Sequence, residues 1–354
     1  MRIRAALPWM VAAWTGCDFG RIALPGDSCP DVPCRRAGEA FRHGDAVEHV
    51  VFSPSGRYLA SADRWGAIKL WRTETGEPWA AVAAQGHCRY ALALAFAPDE
   101  GTLLTCTPGG PDTGGVRLSE WYLDGALRRE VRLDALSPGC RACFSADGST
   151  AAFQSTNWTA YVVDVATGRI RLAVPGKSRS CAIALSTNGR LLATASEGLV
   201  SIWDVETHAL FRRIDPRLDR YESPPMIDSL AFSPDAGTVA VGLCGRGVAL
   251  YPPGGNSPVH GRPLGACPTS IAFSPDGRTV AAGNGGGISI LDAGTGEARA
   301  SAGGLPGRAC MRQGAVGFSP DGRTLASGVL GTSSIHFWDA RSGRILAHPA
   351  CTAR

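Results

Sequence analysis

Apolar residues in this chain fall in short runs separated by turn residues, the spacing of β-strands rather than helices. Ser270-Ile271-Ala272-Phe273 and Thr279-Val280-Ala281-Ala282 are one such pair, joined by Ser274-Pro275-Asp276-Gly277-Arg278. In that joint proline presets φ, aspartate tolerates the second turn position, and glycine supplies the positive φ that re-enters the next strand. A third run alternates polar and apolar positions, as in Ile68-Lys69-Leu70-Trp71, Val200-Ser201-Ile202-Trp203-Asp204 and Ile335-His336-Phe337-Trp338-Asp339. A second turn follows, for example Asp164 to Gly168 or Asp292 to Gly296, and then a fourth short run.

This unit recurs along the chain. Taking Phe52, Phe96, Phe144, Leu185, Phe232, Phe273 and Phe318 as markers, the steps are 44, 48, 41, 47, 41 and 45 residues. A period in the forties is that of one four-stranded propeller blade. The expected fold is therefore all-β, a seven-bladed β-propeller of four-stranded antiparallel blades over residues 39–354. Closure should bring residues 39 to 42 beside residues 344 to 348 at blade seven, which removes free sheet edges.

The repeated phrase around Phe-Ser-Pro-Asp-Gly, with Trp203-Asp204 and Trp338-Asp339, resembles the WD-repeat family. Elsewhere the Trp-Asp pair decays to Trp71-Arg72, Val163-Asp164, Leu291-Asp292 and Tyr251-Pro252. The Gly-His that usually opens such a repeat occurs once, at Gly86-His87. The resemblance thus implies blades held mainly by packing, with the histidine-centred hydrogen-bond network largely absent. Six-bladed propellers found beside periplasmic translocation and peptidase proteins share the Phe-Ser-Pro-Asp-Gly phrase; seven units and the Trp-Asp strands favour the first family.

Composition adds source and compartment. Of 35 basic residues only Lys69 and Lys177 are lysine, which with abundant Ala, Gly and Pro points to a GC-rich bacterial genome. A net charge of +4 gives no concentrated basic patch, so nucleic acid is not an expected partner. Arg2 and Arg4, the apolar stretch from Ala5 to Trp14, and Thr15-Gly16-Cys17 read as a lipoprotein signal over residues 1–16, with Cys17 lipidated and residues 17–38 a linker. The apolar stretch is too short to span a bilayer, so any membrane attachment runs through Cys17. A cell-envelope location follows, with an untidy cytoplasmic N-terminus as the alternative.

Twelve cysteines suit an oxidising compartment. Cys88, Cys140, Cys181, Cys267 and Cys310 precede blade markers, and Cys106 and Cys244 end second strands, all on the face carrying the inter-blade loops. Small buried apolar residues are the competing reading of these thiols. On export, Cys29–Cys34 or Cys34–Cys351 are the expected disulfides. Cys140-Arg141-Ala142-Cys143 has no second pair at zinc spacing, so no metal is expected there.

The chemistry of an enzyme is missing at the level of motifs. There is no Gly-x-Ser-x-Gly elbow, phosphate loop or His-Glu-x-x-His, and Gly283 to Gly287 is a hairpin turn. The expected function is a non-catalytic, monomeric binding scaffold without cofactors. The alternative is a hydrolase or lyase at the central channel, for which Asp228 and Glu48-His49 are the charged candidates. The expected partner is a protein or peptide, acidic in character, held on the inter-blade loop face by Trp65, Arg89, Tyr90, Trp158, Arg217, Arg220, Tyr221 and Arg312. Exposed Trp, Tyr and Arg dominate interface energies, and arginine grips carboxylates with paired hydrogen bonds. The competing reading packs Trp65 and Trp158 between blades and leaves the arginines solvated.

Overall fold

The structure is a computed structural model. It describes residues 41–82, 91–109, 114–177, 182–216, 224–252, 255, 258–260, 267–283, 287–303, 315–328 and 333–346. Among them there is no helix. Seven antiparallel sheets follow one another along the chain, and in each the strands lie side by side in sequence order. The innermost strands are Val47–Phe52, Ala93–Phe96, Pro138–Phe144, Ile183–Leu185, Ile227–Phe232, Ser270–Phe273 and Val316–Phe318, for blades one to seven. Each touches the innermost strand of the next blade, and that of blade seven touches that of blade one. The result is the seven-bladed β-propeller expected from the marker spacing.

Two turn designs repeat because they satisfy backbone groups locally. Between first and second strands, the hydroxyls of Ser145, Ser233, Ser274 and Ser319 donate to Asp147, Asp235, Asp276 and Asp321. Gly56, Gly148, Gly189, Gly277 and Gly322 close these turns at φ near +70°, while blades two and five use Glu100 and Ala236 at +57° and +58°. Between third and fourth strands, Asp164, Asp204 and Asp292 accept from the backbone N–H groups of Thr167, Thr207 and Thr295, and Asp339 from that of Ser342. The aspartate of the Trp-Asp pair is thus a turn cap.

Seven separate hydrophobic clusters fill the gaps between neighbouring blades. The cluster between blades four and five joins Val200 and Ile202 to Val241, Leu243 and Tyr251. That between blades seven and one joins Ala326, Ile335 and Phe337 to Phe41, Leu59 and Trp71. Blade seven has three full strands. Its outer edge is completed from both directions along Ile335–Asp339. Arg42 pairs with Ser334, and the Ile335 N–H donates to the Phe41 carbonyl at 3.1 Å. Ile345 pairs with Trp338, and the Leu346 N–H donates to the Phe337 carbonyl at 2.9 Å. Early and late segments therefore share one strand position, as closure requires.

Candidate binding face

The first strands of blades one and five each carry a β-bulge at their entry. Between Val47 and His49 the register shifts around Glu48, and between Ile227 and Ser229 it shifts around Asp228. A bulge re-aims the extra residue. Counted back from Phe52 and Phe232, the two acids hold the same repeat position. His49 and Arg141 share the next one. Arg141 reaches from blade three to blade six, where its Nη2 donates to the Thr269 carbonyl at 2.8 Å. It therefore spans the mouth of the central channel. Farther in, the channel opens into a cavity of about 530 Å³ lined by His49, Ala95, Cys143, Ile271, Val316 and Phe318 among others.

Burial sets the charges at this mouth. His49 is pushed down to about 4, first by desolvation and then by the Arg141 charge, so it is neutral at pH 7. Asp228 is pushed up by desolvation while Arg141 pulls it the other way. Arg141 is lowered by desolvation, against the attraction of Asp228 and Glu48. Among the described residues the channel mouth thus holds one cation, Arg141, facing two carboxylates, Glu48 and Asp228.

Cys244, just past the second strand of blade five, is joined by a disulfide to Cys267 at the entry to blade six. The sequence places both cysteines on this face without pairing them. Cys106 and Cys143 are free and buried or half-buried, and desolvation pushes the Cys143 thiol up to about 12. These two behave as small apolar residues. Cys17, Cys29, Cys34 and Cys351 lie outside the described residues, as do Arg89, Tyr90, Arg217, Arg220, Tyr221 and Arg312.

Trp65 and Trp158 both occupy turns between second and third strands, on the same face. Trp65 is 61% exposed, and its indole N–H donates to Asp45 Oδ2 at 2.6 Å. It does not pack between blades. Trp158 is half-buried and holds φ at +67°, unusual for a bulky side chain. Gly176 lies under its carbonyl, where an added Cβ would approach that oxygen to 2.4 Å. Trp158 borders a cavity of about 250 Å³ between blades three and four, together with Gln154, Lys177, Glu197, Trp203 and Arg213. Inside it, Gln154 Oε1 and Trp203 Nε1 are buried without hydrogen-bond partners.

Behind Trp65 lies a polar network. The Trp71 indole N–H donates to Ser61 Oγ at 2.7 Å, and that oxygen is 2.6 Å from His43 Nε2. His43 Nδ1 is 3.3 Å from Asp63 Oδ2. Asp63 Oδ1 accepts from the backbone N–H groups of Trp65 and Ala67, which fixes the loop that carries Trp65.

Three segments of the chain, residues 39–72, 173–204 and 310–339, match the family model described as WD domain, G-beta repeat. Each ends on the residue that follows Trp71, Trp203 or Trp338. With the seven-bladed ring, they support a WD-repeat β-propeller. In WD-repeat terms, the network around His43 is the histidine-centred one that the sequence leads one to expect mostly absent. His43 follows Arg42 in place of glycine, which hides it from a search for Gly-His. Arg141 also escapes notice in sequence, although its distance from Phe144 equals that of His49 from Phe52. WD-repeat propellers commonly serve as protein-interaction scaffolds.

Proposed function

We propose that this propeller is a non-catalytic scaffold that takes an acidic peptide or protein segment on its inter-blade loop face. The observation that carries this is the cavity between blades three and four. A buried polar atom left unpaired costs on the order of 1–3 kcal/mol, and the cavity holds two of them. A carboxylate entering there accepts from the Trp203 indole N–H, and a backbone N–H of the same peptide segment donates to Gln154 Oε1. Lys177 and Arg213 border the cavity, and neither has an ion-pair partner among the described residues. Trp158 adds a rigid apolar wall of the kind found at interface hot spots. Arg89, Tyr90, Arg217, Arg220, Tyr221, Arg312 and Trp65 are proposed to extend the contact.

Cross-linking and affinity capture from the native host supply the partner. Its affinity is then measured for Trp65→Ala, Trp158→Ala, Lys177→Ala, Arg217→Ala and Tyr221→Ala, each shown to remain folded. We expect at least a tenfold loss for Trp158→Ala and for Lys177→Ala. Unchanged affinity in every variant places the site elsewhere. Glu48, His49, Arg141 and Asp228 favour a second reading, a hydrolase or lyase at the channel mouth. Activity-based profiling that labels the wild type but not Asp228→Asn supports that reading. We further propose a bacterial lipoprotein anchored through Cys17. Mass spectrometry of the native protein should find a chain beginning at lipidated Cys17, and an unmodified Met1 refutes it.

A further inference from the structure

The pair Cys244 and Cys267 sits beside a third ligand-type group. The two sulfurs and a carboxylate oxygen of Asp228 all lie within 4.8 Å of one another. Three different segments bring them there: the bulge at the entry to Ile227–Phe232, the residue after Val239–Leu243, and the approach to Ser270–Phe273. The segments are tied together at this point. The Cys244 N–H donates to the Met226 carbonyl at 2.9 Å, and the Ser229 hydroxyl donates to the Pro268 carbonyl at 2.5 Å. The Asp228 carboxylate is half-buried and accepts no hydrogen bond from the described residues. Its neighbouring cation, Arg141, spends its Nη2 hydrogen on the Thr269 carbonyl. A partly desolvated carboxylate with no donor among the described residues is favourably placed to take a positive charge.

We infer that, once the disulfide is reduced, Cys244, Cys267 and Asp228 bind a thiophilic divalent cation, zinc foremost, at the channel mouth. Reduction by a thiol or phosphine adds two electrons and two protons to the disulfide and yields two thiols. On metal binding both thiols release their protons to solvent, and the two thiolates and the carboxylate become ligands. A water takes the fourth position. Sulfur and oxygen ligands around tetrahedral zinc lie about 3.5–4 Å apart, so after reduction the two sulfurs separate from their bonded distance while the Asp228 carboxylate draws in. Three anionic ligands around a dication leave one negative charge, and Arg141 offsets it. Two sulfurs select zinc and its thiophilic neighbours over magnesium or calcium. The disulfide and the cation compete for the same sulfurs, so the site is a redox-controlled one joining blades five and six.

The test uses the full chain, reduced with a phosphine, desalted without oxygen and titrated with Co²⁺. We expect Co²⁺ to bind with the near-ultraviolet absorption of thiolate–cobalt bonds, and Zn²⁺ to bleach that band. Protein left oxidised should not show it. Cys267→Ser should abolish it, and Asp228→Asn, which keeps both sulfurs, should weaken cobalt binding at least about tenfold. The double variant Cys106→Ser/Cys143→Ser should retain the band. Circular dichroism follows the fold throughout. The inference is overturned if the reduced wild type shows no band, if the band survives in Cys267→Ser, or if reduction alone unfolds the propeller. Should Cys267→Ser not fold, Asp228→Asn decides: cobalt affinity equal to wild type overturns the inference.

Discussion

Blades one and four carry the same strand pairing and differ in what stands behind their tryptophans. Leu59 faces Trp71 across the strands of blade one, and Leu192 faces Trp203 in blade four. By that register Ser61 and Asp63 correspond to Thr194 and Ser196. In blade one, Trp71, Ser61, His43 and Asp63 form an unbroken chain of contacts. In blade four the Thr194 hydroxyl makes only a long 3.5 Å contact with the Ser201 carbonyl, and the Trp203 indole N–H is left over. Blade three takes a third course, with Phe153 and Val163 at the two positions, both fully buried. In blades two and seven the indole N–H still finds a hydroxyl, Thr105 at 3.0 Å and Ser327 at 2.8 Å. Blade four keeps the tryptophan without such an acceptor, a cavity and an unpaired donor remain, and that is where we place the partner.

The largest effect that distinguishes the blades should come with acid. Blades three, four, six and seven cap their outer turns with Asp164, Asp204, Asp292 and Asp339, whereas blades one and two carry Arg72 and Tyr122 there. Backbone donation from Thr207 holds Asp204 down to about 2, and that from Thr295, with help from Arg299, does the same for Asp292. Donation from the Ser342 side chain lowers Asp339. Folded values below the ordinary 3.8 mean that the stabilisation is present above about pH 4 and lost as pH falls through the folded values toward about 2. Hydrogen exchange between pH 4 and pH 2 should show the outer turns of blades four and six opening before those of blades one and two. Simultaneous loss of protection in all blades contradicts this.

How much of this was legible beforehand follows from the range of the interactions. The seven turns beginning at Ser53, Ala97, Ser145, Ser186, Ser233, Ser274 and Ser319 are local, and their residues spell out the blades. Trp65 and Trp158 fall on the expected face for the same reason. The disulfide joins residues 23 apart in sequence. Strand ends put both cysteines on one face, but only the contact between blades chooses the pair. Arg141 meets Thr269 across 128 residues, and no local pattern reveals a side chain that crosses the channel. His43 takes its role from Ser61 and Asp63, not from the residue that precedes it.

Next in size is the staple between blades five and six. Blade five has Tyr251 at the tryptophan position, with its hydroxyl buried and unpaired, so it gains nothing from a network. Closing a loop of 23 residues restricts the unfolded chain by about 3 kcal/mol. Cys267→Ser, assayed oxidised and without metal, should lower the urea midpoint accordingly. A change under about 1 kcal/mol means that the pair is not oxidised in the isolated protein.

The comparison of blades one and four is sharpened most directly by removing the indole nitrogen from each. Trp71→Phe leaves the buried Ser61 hydroxyl short of a donor in the interior and should cost about 2 kcal/mol. Trp203→Phe removes a donor that has no acceptor, so its loss should be within about 0.5 kcal/mol of zero. Chemical denaturation of the two variants measures both. Equal losses argue that the Trp203 nitrogen is satisfied in solution by an ordered water, which the partner then displaces.

The smallest effect tests the turns that all blades share. Ala236 holds φ at +58° in blade five, where Gly277 and Gly322 hold +70° and +69° in blades six and seven. An L side chain in this region costs roughly 1–2 kcal/mol against glycine, because Cβ crowds the following carbonyl. Glycine gives part of that back by gaining freedom in the unfolded chain, about 0.5–1 kcal/mol. Ala236→Gly should therefore stabilise by about 0.5–1 kcal/mol, and Gly277→Ala should destabilise by a similar amount. The turn's hydrogen bond, from the residue 236 N–H to the Ser233 carbonyl at 2.8 Å, is between backbone groups and is kept in Ala236→Gly. If Ala236→Gly lowers the midpoint instead, the unfolded chain outweighs the strain, and the non-glycine turns of blades two and five carry no penalty that selection has had to tolerate.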